Sequence, residues 1–550
     1  MGSTTASMAK EYILPRRILA SFKAENGAAL LKDGYDQPVL HAEAFCTLQA
    51  GGYILLDFGT EISGGAQLIV YHCGEKRNAE IRIRFGESAM EARADLGEKN
   101  AGNDHAVRDA VIYVSRFGQD EYGNTGFRFI RVDNADSVPI SFLQIKAVWN
   151  KRIIDRAGRF SCGDGTVDKI YETGAHTVYL NMQNYIYDGV KRDRLVWMGD
   201  LHPEISAIAM LYGYDGIVEK TLDFMRDGYG PDTWMNGIPS YSMWWLITHR
   251  TWYGHFGNAG YLARQKGYMK KLALNLAAAV RPDGSYALDE RFFDWPSRGF
   301  ADAENCGVHA LLVIALRAAA EMLRLLGEEA AAGACLSSAL RLEKNAPDFR
   351  KGNKGSAALL VLAGLADAET ADRELFRGGA DGVSPFMAYY IFSAMAKAGN
   401  TGGALRVLKE YYGAMLSLGA TSFWEAFDID WLKGAKPVDA LLEAGEYDVH
   451  GDNGKHCYTG YRNSLCHGWA CGFVAFLYER VLGIRILEPG CKKLRISPDL
   501  GDLKWAEGTM PTPYGTIRVR AEKKKNGQTE TEVYPPSEKI EIVRRNEYGG

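Results

Sequence analysis

The chain has 550 residues, 47% of them apolar and 24% charged, which is the composition of an ordinary globular protein. At about 100–200 residues per domain, this length indicates three or four domains with a core that needs no disulfides. The 64 basic and 68 acidic residues leave a net charge of −4. A balance this close to neutral argues against nucleic acid or an anionic membrane surface as the main partner.

The sequence from about residue 38 to 150 alternates with period two and is rich in β-branched and aromatic residues. Turn residues, such as Ser63-Gly64-Gly65 and Gly123-Asn124, separate the candidate strands. The strands predicted in this way are Tyr53–Phe58, Gln67–Tyr71, Glu80–Phe85, Ala110–Val114, Phe127–Val132 and Ile140–Trp149. Several short strands at this spacing are typical of a β-sandwich.

The pattern becomes helical from about residue 160 to 485, where apolar residues recur at intervals of three and four, as in Val167, Ile170 and Tyr171. Ten to twelve helices fit this stretch. An even set of helical hairpins that closes on itself gives an α/α toroid, whose loops at one end are free to form a site. The chain then returns to strands, predicted at Lys493–Ile496, Thr516–Arg520, Glu532–Tyr534 and Ile540–Val543.

One connecting segment, DGVKRDRLVWMGD from Asp188 to Asp200, holds three carboxylates, three basic residues and a tryptophan. Glycosidic cleavage needs an acid for the leaving oxygen and a carboxylate that activates water or attacks the anomeric carbon. If Asp188 and Asp200 lie close to Asp193, repulsion would raise the pKa of Asp193, as an acid catalyst requires. The alternative stays open on composition alone: a solvated, salt-bridged loop in which Asp200 caps the helix that follows.

Two further segments could carry chemistry. Thr421–Glu425 places a glutamate after two aromatic residues, and Ser464–Trp469 places His467 at the start of an apolar helix. Aromatic pairs at Trp244-Trp245 and around Trp295 could stack on a sugar. Each of these features, taken alone, is also consistent with a core or capping role.

Other enzyme classes lack support in the sequence. There is no GxSxG elbow, HExxH, P-loop or GxGxxG after a strand. The nine cysteines form no CxxC pair, which predicts reduced, buried thiols. A zinc site around Cys457, Cys466 and Cys471 is the alternative, but these spacings fit no standard pattern. No secretory signal is visible, so we expect a cytoplasmic protein.

The segment Asp188–Asp200 resembles the signature of glycoside hydrolase family 78, the α-L-rhamnosidases. In that family an aspartate opens the motif, an arginine follows at the fifth position and the general acid at the sixth, and a tryptophan and a second aspartate close it. The corresponding residues in this sequence are Asp188, Arg192, Asp193, Trp197 and Asp200. The sequence differs from the family pattern in two places. Many members have glutamate where Asp193 stands, and Cys-Pro where Gly189-Val190 stands.

The resemblance extends over roughly residues 40–520. TSFWE is similar to the family segment that bears the general base, which falls on Glu425, and SLCHGW to the segment whose histidine contacts the sugar, which falls on His467. LLDFG and RFGES resemble the family's β-sandwich, and PTPYGTI resembles its C-terminal β-domain. The three motifs also occur in the family's order.

The resemblance implies a mainly α, multidomain fold: an (α/α)6 barrel with an N-terminal β-sandwich and a small C-terminal β-domain. We place the boundaries at residues 1–37 for an N-terminal extension, 38–155 for the sandwich, 156–485 for the barrel and 486–550 for the last domain. Asp193 and Glu425 should then face each other across one cavity at one end of the barrel.

The implied activity is removal of terminal α-L-rhamnose with inversion, with Asp193 as acid and Glu425 as base. The residues expected to bind the sugar or form an apolar wall are Asp188, Arg192, Trp197, Asp200, Trp245, Trp295, Trp424 and His467. No cofactor, metal, nucleic acid or membrane is expected, and the oligomeric state stays open, a homodimer being one option. The alternatives are a barrel hydrolase for a different terminal sugar and a non-catalytic carbohydrate-binding relative.

Overall fold

The computed structural model describes residues 7–544, and its first part is a β-domain. One seven-stranded antiparallel sheet has the strand order β1-β7-β3-β6-β4-β5, with β2 paired to β3. The elements of this domain are β1 (Met8–Ile13), β2 (Arg17–Glu25), β3 (Cys46–His72), β4 (Asn78–Gly86), α1 (Ala89–Arg93), β5 (Asp109–Ser115), β6 (Gln119–Asn134) and β7 (Ile140–Arg152). The apolar residues of its long strands form a separate hydrophobic core.

The structure corrects three details of the sequence prediction. Strands β1 and β2 pair with β7 and β3, so residues 8–25 belong to the sheet and not to a separate extension. Tyr53–Phe58 and Gln67–Tyr71 are parts of the single strand β3, and the turns predicted at Ser63-Gly64-Gly65 and Gly123-Asn124 lie inside strands. These glycines permit close approach instead, because a Cβ on Gly64 would lie 1.8 Å from the Val148 carbonyl oxygen. The other domain boundaries stay predictions.

Twelve helices form the barrel in the described part of the chain, which confirms the predicted fold class. They are α2 (Gly165–Asn181), α3 (Leu201–Leu211), α4 (Gly216–Gly228), α5 (Pro239–Phe256), α6 (Ala259–Ala278), α7 (Ala301–Leu325), α8 (Glu329–Glu343), α9 (Lys354–Ala363), α10 (Ala368–Glu374), α11 (Ala388–Lys397), α12 (Thr401–Ser417) and α13 (Phe473–Phe476), which continues as a π-helix over Leu477–Val481. The inner ring consists of α3, α5, α7, α9, α11 and α13. Each packs against the next, and α13 closes the ring against α3.

The connections explain why a site forms at one end. Because inner and outer helices alternate along the chain, every connection from an outer to an inner helix lies at the same end of the barrel. These connections include the longest loops, such as residues 182–200, 279–300 and 418–472, whereas those at the other end are a few residues long. All three predicted motifs lie in or at the edges of the long loops.

Helix α7 is long and apolar enough to cross a membrane by length and composition alone. It belongs to the inner ring, and 83% of its most apolar window is buried inside the protein. Its composition is therefore that of a core helix.

The C-terminal part forms two small sheets, β11-β12-β16 and β15-β14-β13-β8. The strands are β8 (Arg159–Ser161), β9 (Ala435–Lys436), β10 (Tyr447–Asp448), β11 (Ile484–Glu488), β12 (Lys493–Ile496), β13 (Trp505–Thr512), β14 (Gly515–Lys523), β15 (Thr529–Tyr534) and β16 (Glu541–Arg544). The pair β9 and β10 lies in the long loop after α12. Strand β8 precedes the barrel and pairs with β13, so both ends of the barrel segment are tied to this domain.

Candidate active site

The loop from Asp188 to Asp200 is buried, which decides against the solvated alternative. Asp188, Asp193 and Asp200 are 3%, 7% and 4% exposed. Gly189 forms an antiparallel bridge with His467, and the Gly468 N–H donates to the Asp188 carbonyl oxygen at 2.9 Å. The first and third motifs are therefore joined through their backbones.

Arg192 brings the predicted acid and base together. One of its terminal nitrogens, Nη2, donates to Glu425 Oε2 at 2.6 Å, and the other, Nη1, donates to Asp193 Oδ1. The guanidinium lies 3.5 Å from the centre of the Tyr458 ring, and this stacking fixes its plane. The two carboxylates thus converge on one buried cation although Arg192 and Glu425 are 233 residues apart.

Asp193 is held by donors on both of its oxygens. Besides Arg192, Trp197 Nε1 donates to Oδ2 at 3.2 Å, and the Tyr458 hydroxyl reaches the same oxygen at 3.4 Å. His105 Nε2 from the β-domain lies 3.5 Å from Oδ1. The backbone of Asp193 is left-handed, with φ of 54°, a conformation that aspartate tolerates better than most residues and that is common at functional sites.

Glu425 is fixed by the segment that carries His467. Its Oε2 accepts from the Ser464 N–H at 3.0 Å, its own N–H donates to the Ser464 carbonyl oxygen at 2.9 Å, and its Oε1 accepts from the Cys457 thiol at 3.6 Å. Trp469 Nε1 donates to the Glu425 carbonyl oxygen at 3.1 Å. The second and third motifs therefore form one unit.

Asp188, Asp200 and His467 form a deeper polar group. His467 Nε2 lies 4.0 Å from Asp188 Oδ2 and 3.7 Å from Asp200 Oδ2. Burial, together with repulsion from neighbouring carboxylates, raises the pKa of Asp188 and of Asp200 well above the usual value. Burial also lowers the pKa of His467 to about 3. Burial therefore disfavours the charged forms of all three side chains, whose polar atoms can form hydrogen bonds with hydroxyl groups.

The alternative interpretation of this loop, in which Asp200 caps the helix that follows, is not supported. Asp200 makes no capping hydrogen bond to helix α3 through its side chain. Repulsion within the loop acts on Asp188, whose pKa is raised by burial first and then by Asp193.

An apolar cavity of about 120 Å³ opens beside Glu425. The aromatic part of its wall consists of Trp295, Phe386, Phe427, Trp431 and Trp469. The polar residues of the lining are Asp294, Ser384, Glu425, Asp428, Lys455, His456 and Cys457. A row of ring contacts, from Trp295 through Phe292 and Tyr241 to Trp197, joins this wall to the Asp193 side. Trp295 thus lines the cavity, and Trp197 is connected to it by this row of rings; their contact with a sugar stays a prediction.

Two of the predicted wall residues are core residues instead. Trp245 is fully buried, donates through Nε1 to the Leu222 carbonyl oxygen at 3.2 Å and packs against His249 and Tyr268. Trp424 is 1% exposed and packs edge-on against Phe427, behind the cavity wall. Neighbouring aromatic residues on a helix or an extended segment point to different sides, which the sequence pattern alone did not resolve.

The sequence also missed contacts to the reactive carboxylates. Cys457 and Tyr458 lie in a loop whose sequence shows no periodicity. The best indication of their role in the sequence is their position between Glu425 and His467. Lys191 is one of the three basic residues counted in the first motif, and the sequence did not show that its ammonium is buried against the β-domain. All nine cysteines are free thiols in the structure.

One cluster of potential metal ligands occurs among residues 7–544: Glu87, Glu91 and His450. The Lys191 ammonium lies 3.0 Å from Glu87 Oε2 and 3.1 Å from Glu91 Oε1. A cation already provided by the chain thus occupies this position, and the cluster does not fit a metal ion.

Comparison with known proteins gives matches over the first part of the barrel and over the last domain. Residues 155–346 match the model of the bacterial α-L-rhamnosidase six-hairpin glycosidase domain, and residues 483–543 match that of the bacterial α-L-rhamnosidase C-terminal domain. An α-L-rhamnosidase of Formosa agariphila is 25% identical over 170 residues, which are 30% of this chain and 17% of that protein.

Solved structures share the fold over most of the chain. The family 78 rhamnosidase of Bacillus sp. GL1 has a TM-score of 0.75 at 20% identity, covering 94% of this chain and 55% of that one. A rhamnosidase from Klebsiella oxytoca, solved with rhamnose bound, has a TM-score of 0.68 at 17% identity, covering 86% and 96%. The chain spans about half the length of the Bacillus protein and less than a fifth of the Formosa protein. Two segments of the chain, the first part of the barrel and the last domain, thus match models of one family, the bacterial α-L-rhamnosidases.

Proposed function

We propose that this chain removes terminal α-L-rhamnose from glycosides or oligosaccharides with inversion at the anomeric carbon. The observation that carries the proposal is the shared guanidinium of Arg192, which holds Asp193 and Glu425 in one buried site. The family match of the first part of the barrel supports the substrate, as do the related structures from Klebsiella oxytoca and Streptomyces avermitilis, which were solved with rhamnose.

In this mechanism Asp193 protonates the glycosidic oxygen as the bond to the anomeric carbon breaks. Glu425 takes a proton from a water molecule, whose oxygen forms the new bond on the opposite face of the sugar. The products are the free sugar with inverted configuration and the aglycone alcohol. Asp193 ends ionised and Glu425 protonated, and exchange with solvent restores both.

The deeper group would hold the sugar. The carboxyl groups of Asp188 and Asp200 can form hydrogen bonds with sugar hydroxyls, and the His467 ring, whose pKa burial lowers to about 3, can donate or accept. His467 Nδ1 is buried without a hydrogen-bond partner in the protein, so a sugar hydroxyl would satisfy it. The aromatic wall beside Glu425 offers an apolar surface for the methyl group of a 6-deoxy sugar.

The test is hydrolysis of a panel of p-nitrophenyl glycosides, including the α-L-rhamnoside, other 6-deoxysugars and neutral hexosides. We expect the α-L-rhamnoside to be the best substrate, and proton NMR to detect the β-anomer of rhamnose first. Preference for another glycoside would favour the hydrolase for a different sugar. Binding of rhamnose without turnover of any glycoside would favour the non-catalytic relative. Initial release of the α-anomer would refute inversion.

A further inference from the structure

Glu87 lies in the link between β4 and α1, is 2% exposed and binds two loops of the barrel. Its Oε2 accepts from the Leu465 N–H at 2.5 Å and lies 3.0 Å from the Lys191 ammonium. Its Oε1 accepts from the Ser464 hydroxyl at 3.2 Å. One carboxylate of the β-domain is therefore bonded to the loops after α2 and after α12.

Each of the two loops that Glu87 binds leads to a reactive carboxylate, along the chain from Lys191 and through hydrogen bonds from Ser464. Lys191 precedes Arg192 and Asp193 in the chain. Ser464 donates its N–H to Glu425 Oε2 and accepts the Glu425 N–H on its carbonyl oxygen. A displacement of Lys191 or of Ser464 would therefore move the acid or the base directly.

The Lys191 ammonium is fully satisfied inside the protein. Besides Glu87, it binds Glu91 Oε1 at 3.1 Å, the Tyr461 carbonyl oxygen at 2.7 Å and the Asn463 carbonyl oxygen at 2.9 Å. These carbonyl groups belong to the same loop as Ser464. The ammonium thus connects the loop that carries Asp193 to the loop that carries Glu425. Glu87 also binds both loops, through Lys191 in the first and through Ser464 and Leu465 in the second.

Burying these charged groups costs free energy, so the arrangement is an inefficient way to stabilise the fold. Glu61, Glu87 and Glu91 are three buried carboxylates around one lysine, and Glu61 Oε1 has no hydrogen-bond partner in the protein. Burial and the neighbouring carboxylates raise the pKa of Glu61 well above its usual value. Buried ion pairs of this kind contribute little net stability compared with apolar packing, although losing one partner costs much. The most direct effect of these ion pairs is to fix the positions of the two loops relative to the β-domain.

We propose that Glu87 is a positioning residue, through which the β-domain sets the distance and orientation of Asp193 and Glu425 for the reaction. The proposal rests on the proposed glycosidase function. It assigns to the β-domain a part in catalysis without contact with the substrate.

The test compares Glu87→Gln with Glu75→Gln, a matched control on the exposed turn after β3. The amide of the introduced glutamine can donate to the Ser464 hydroxyl, so the substitution removes the ionisable carboxyl group and keeps most of the bonds. We expect kcat to fall about 100-fold, the size of effect that a misplacement of about 1 Å can produce. KM should change less than kcat, because no side chain that is expected to bind the sugar is substituted, and the control should match the parent protein.

Hydrogen–deuterium exchange gives a readout that does not depend on activity. In Glu87→Gln, the peptides that contain residues 189–194 and 464–468 should exchange faster, while the outer helices stay protected. Unchanged exchange in these two loops, or a kcat within threefold of the parent, would overturn the proposal. Equal acceleration in all peptides would also overturn it, since that indicates general destabilisation.

A second variant covers the case in which Glu87→Gln does not fold. Ser464→Ala removes one donor to Glu87 without changing any charge, and we expect a several-fold loss in kcat together with faster exchange at 464–468. If neither changes, the proposal fails. If the parent protein hydrolyses no glycoside, the proposed function fails, but the exchange experiment still tells whether Glu87 holds the two loops.

Discussion

Glu425→Gln is the sharpest test of the proposed base, because the site can accept the amide with little rearrangement. Glu425 Oε2 accepts from Arg192 and from the Ser464 N–H, and the carbonyl oxygen of glutamine can replace it. The NH₂ group then takes the position of Oε1 and faces the Cys457 sulfur, a weak acceptor. The substitution therefore removes basicity and keeps the shape of the site.

The expected effects on stability and rate differ in size. Hydrogen bonds to charged groups contribute about 1.5–3 kcal/mol and neutral ones about 0.5–1.5 kcal/mol, so the free energy of unfolding should fall by about 1 kcal/mol. Loss of a general base typically lowers the rate about 10²–10⁴-fold, which raises the barrier by about 3–5 kcal/mol. The variant should thus stay folded and still lose most of its activity.

The assay compares aryl rhamnosides that have good leaving groups with alkyl rhamnosides that have poor ones. Glu425→Gln should lose kcat to the same extent on both, since water must be activated whichever group departs. Asp193→Asn should lose far more on poor leaving groups, which need a proton, than on p-nitrophenolate. Glu443→Gln, on an exposed part of the same loop, is the matched control.

Two results would refute this reasoning. Losses below about tenfold in both variants, well under the range for acid–base groups, would mean that the carboxylates are structural. A loss that depends on the leaving group in Glu425→Gln but not in Asp193→Asn would mean that the roles are exchanged.

Further predictions follow from individual contacts. Tyr458→Phe removes a hydroxyl 3.4 Å from Asp193 Oδ2 but keeps the ring under Arg192, so kcat on alkyl rhamnosides should fall less than about tenfold, short of the range for an acid–base group. Burial and Glu425 raise the pKa of the Cys457 thiol, so iodoacetamide at pH 7.5 should modify it more slowly than free cysteine, as mass spectrometry would show. Trp245→Phe should lower the free energy of unfolding in urea by about 1 kcal/mol or more, through the lost hydrogen bond to Leu222, and leave kcat and KM unchanged. Burial lowers the pKa of His249 to about 3, so only the unfolded chain protonates it between pH 6.5 and 4.5. Because of this residue, the free energy of unfolding should be about 2–3 kcal/mol lower at pH 4.5 than at pH 6.5. In urea titrations at the two pH values, His249→Gln should lack this part of the difference.

The sequence predicted the order of domains well because periodicity reports burial on a scale of ten or more residues. The predicted strands Glu80–Phe85 and Ile140–Trp149 lie within β4 and β7, and the helical region begins close to α2. Strand β1 was missed because its side chains are mostly exposed and do not alternate. Its place in the sheet comes from backbone pairing with β7, which no pattern of side chains records.

Some parts of the candidate site could be predicted from the sequence, and others could not. Resemblance placed Asp193 and Glu425, and the structure joins them through Arg192. The choice between Trp244 and Trp245 was not predictable, because both are buried and their neighbours decide which side each ring faces. The contacts of Glu87 and Lys191 join residues about 100 positions apart, a pairing that only the folded chain provides.

Burial is what turns an ordinary charged loop into a candidate catalytic loop. In a solvated loop, Asp188, Asp193 and Asp200 would all ionise and share the neighbouring basic residues. In the folded chain Lys191 is bound to the β-domain, and Arg192 is bound to Asp193 and Glu425. Asp188 and Asp200 are left without a cation, so burial and repulsion from neighbouring carboxylates raise their pKa well above the usual value. The same loop thus contains two kinds of carboxyl group, and the difference arises from which cations the β-domain and Glu425 bind.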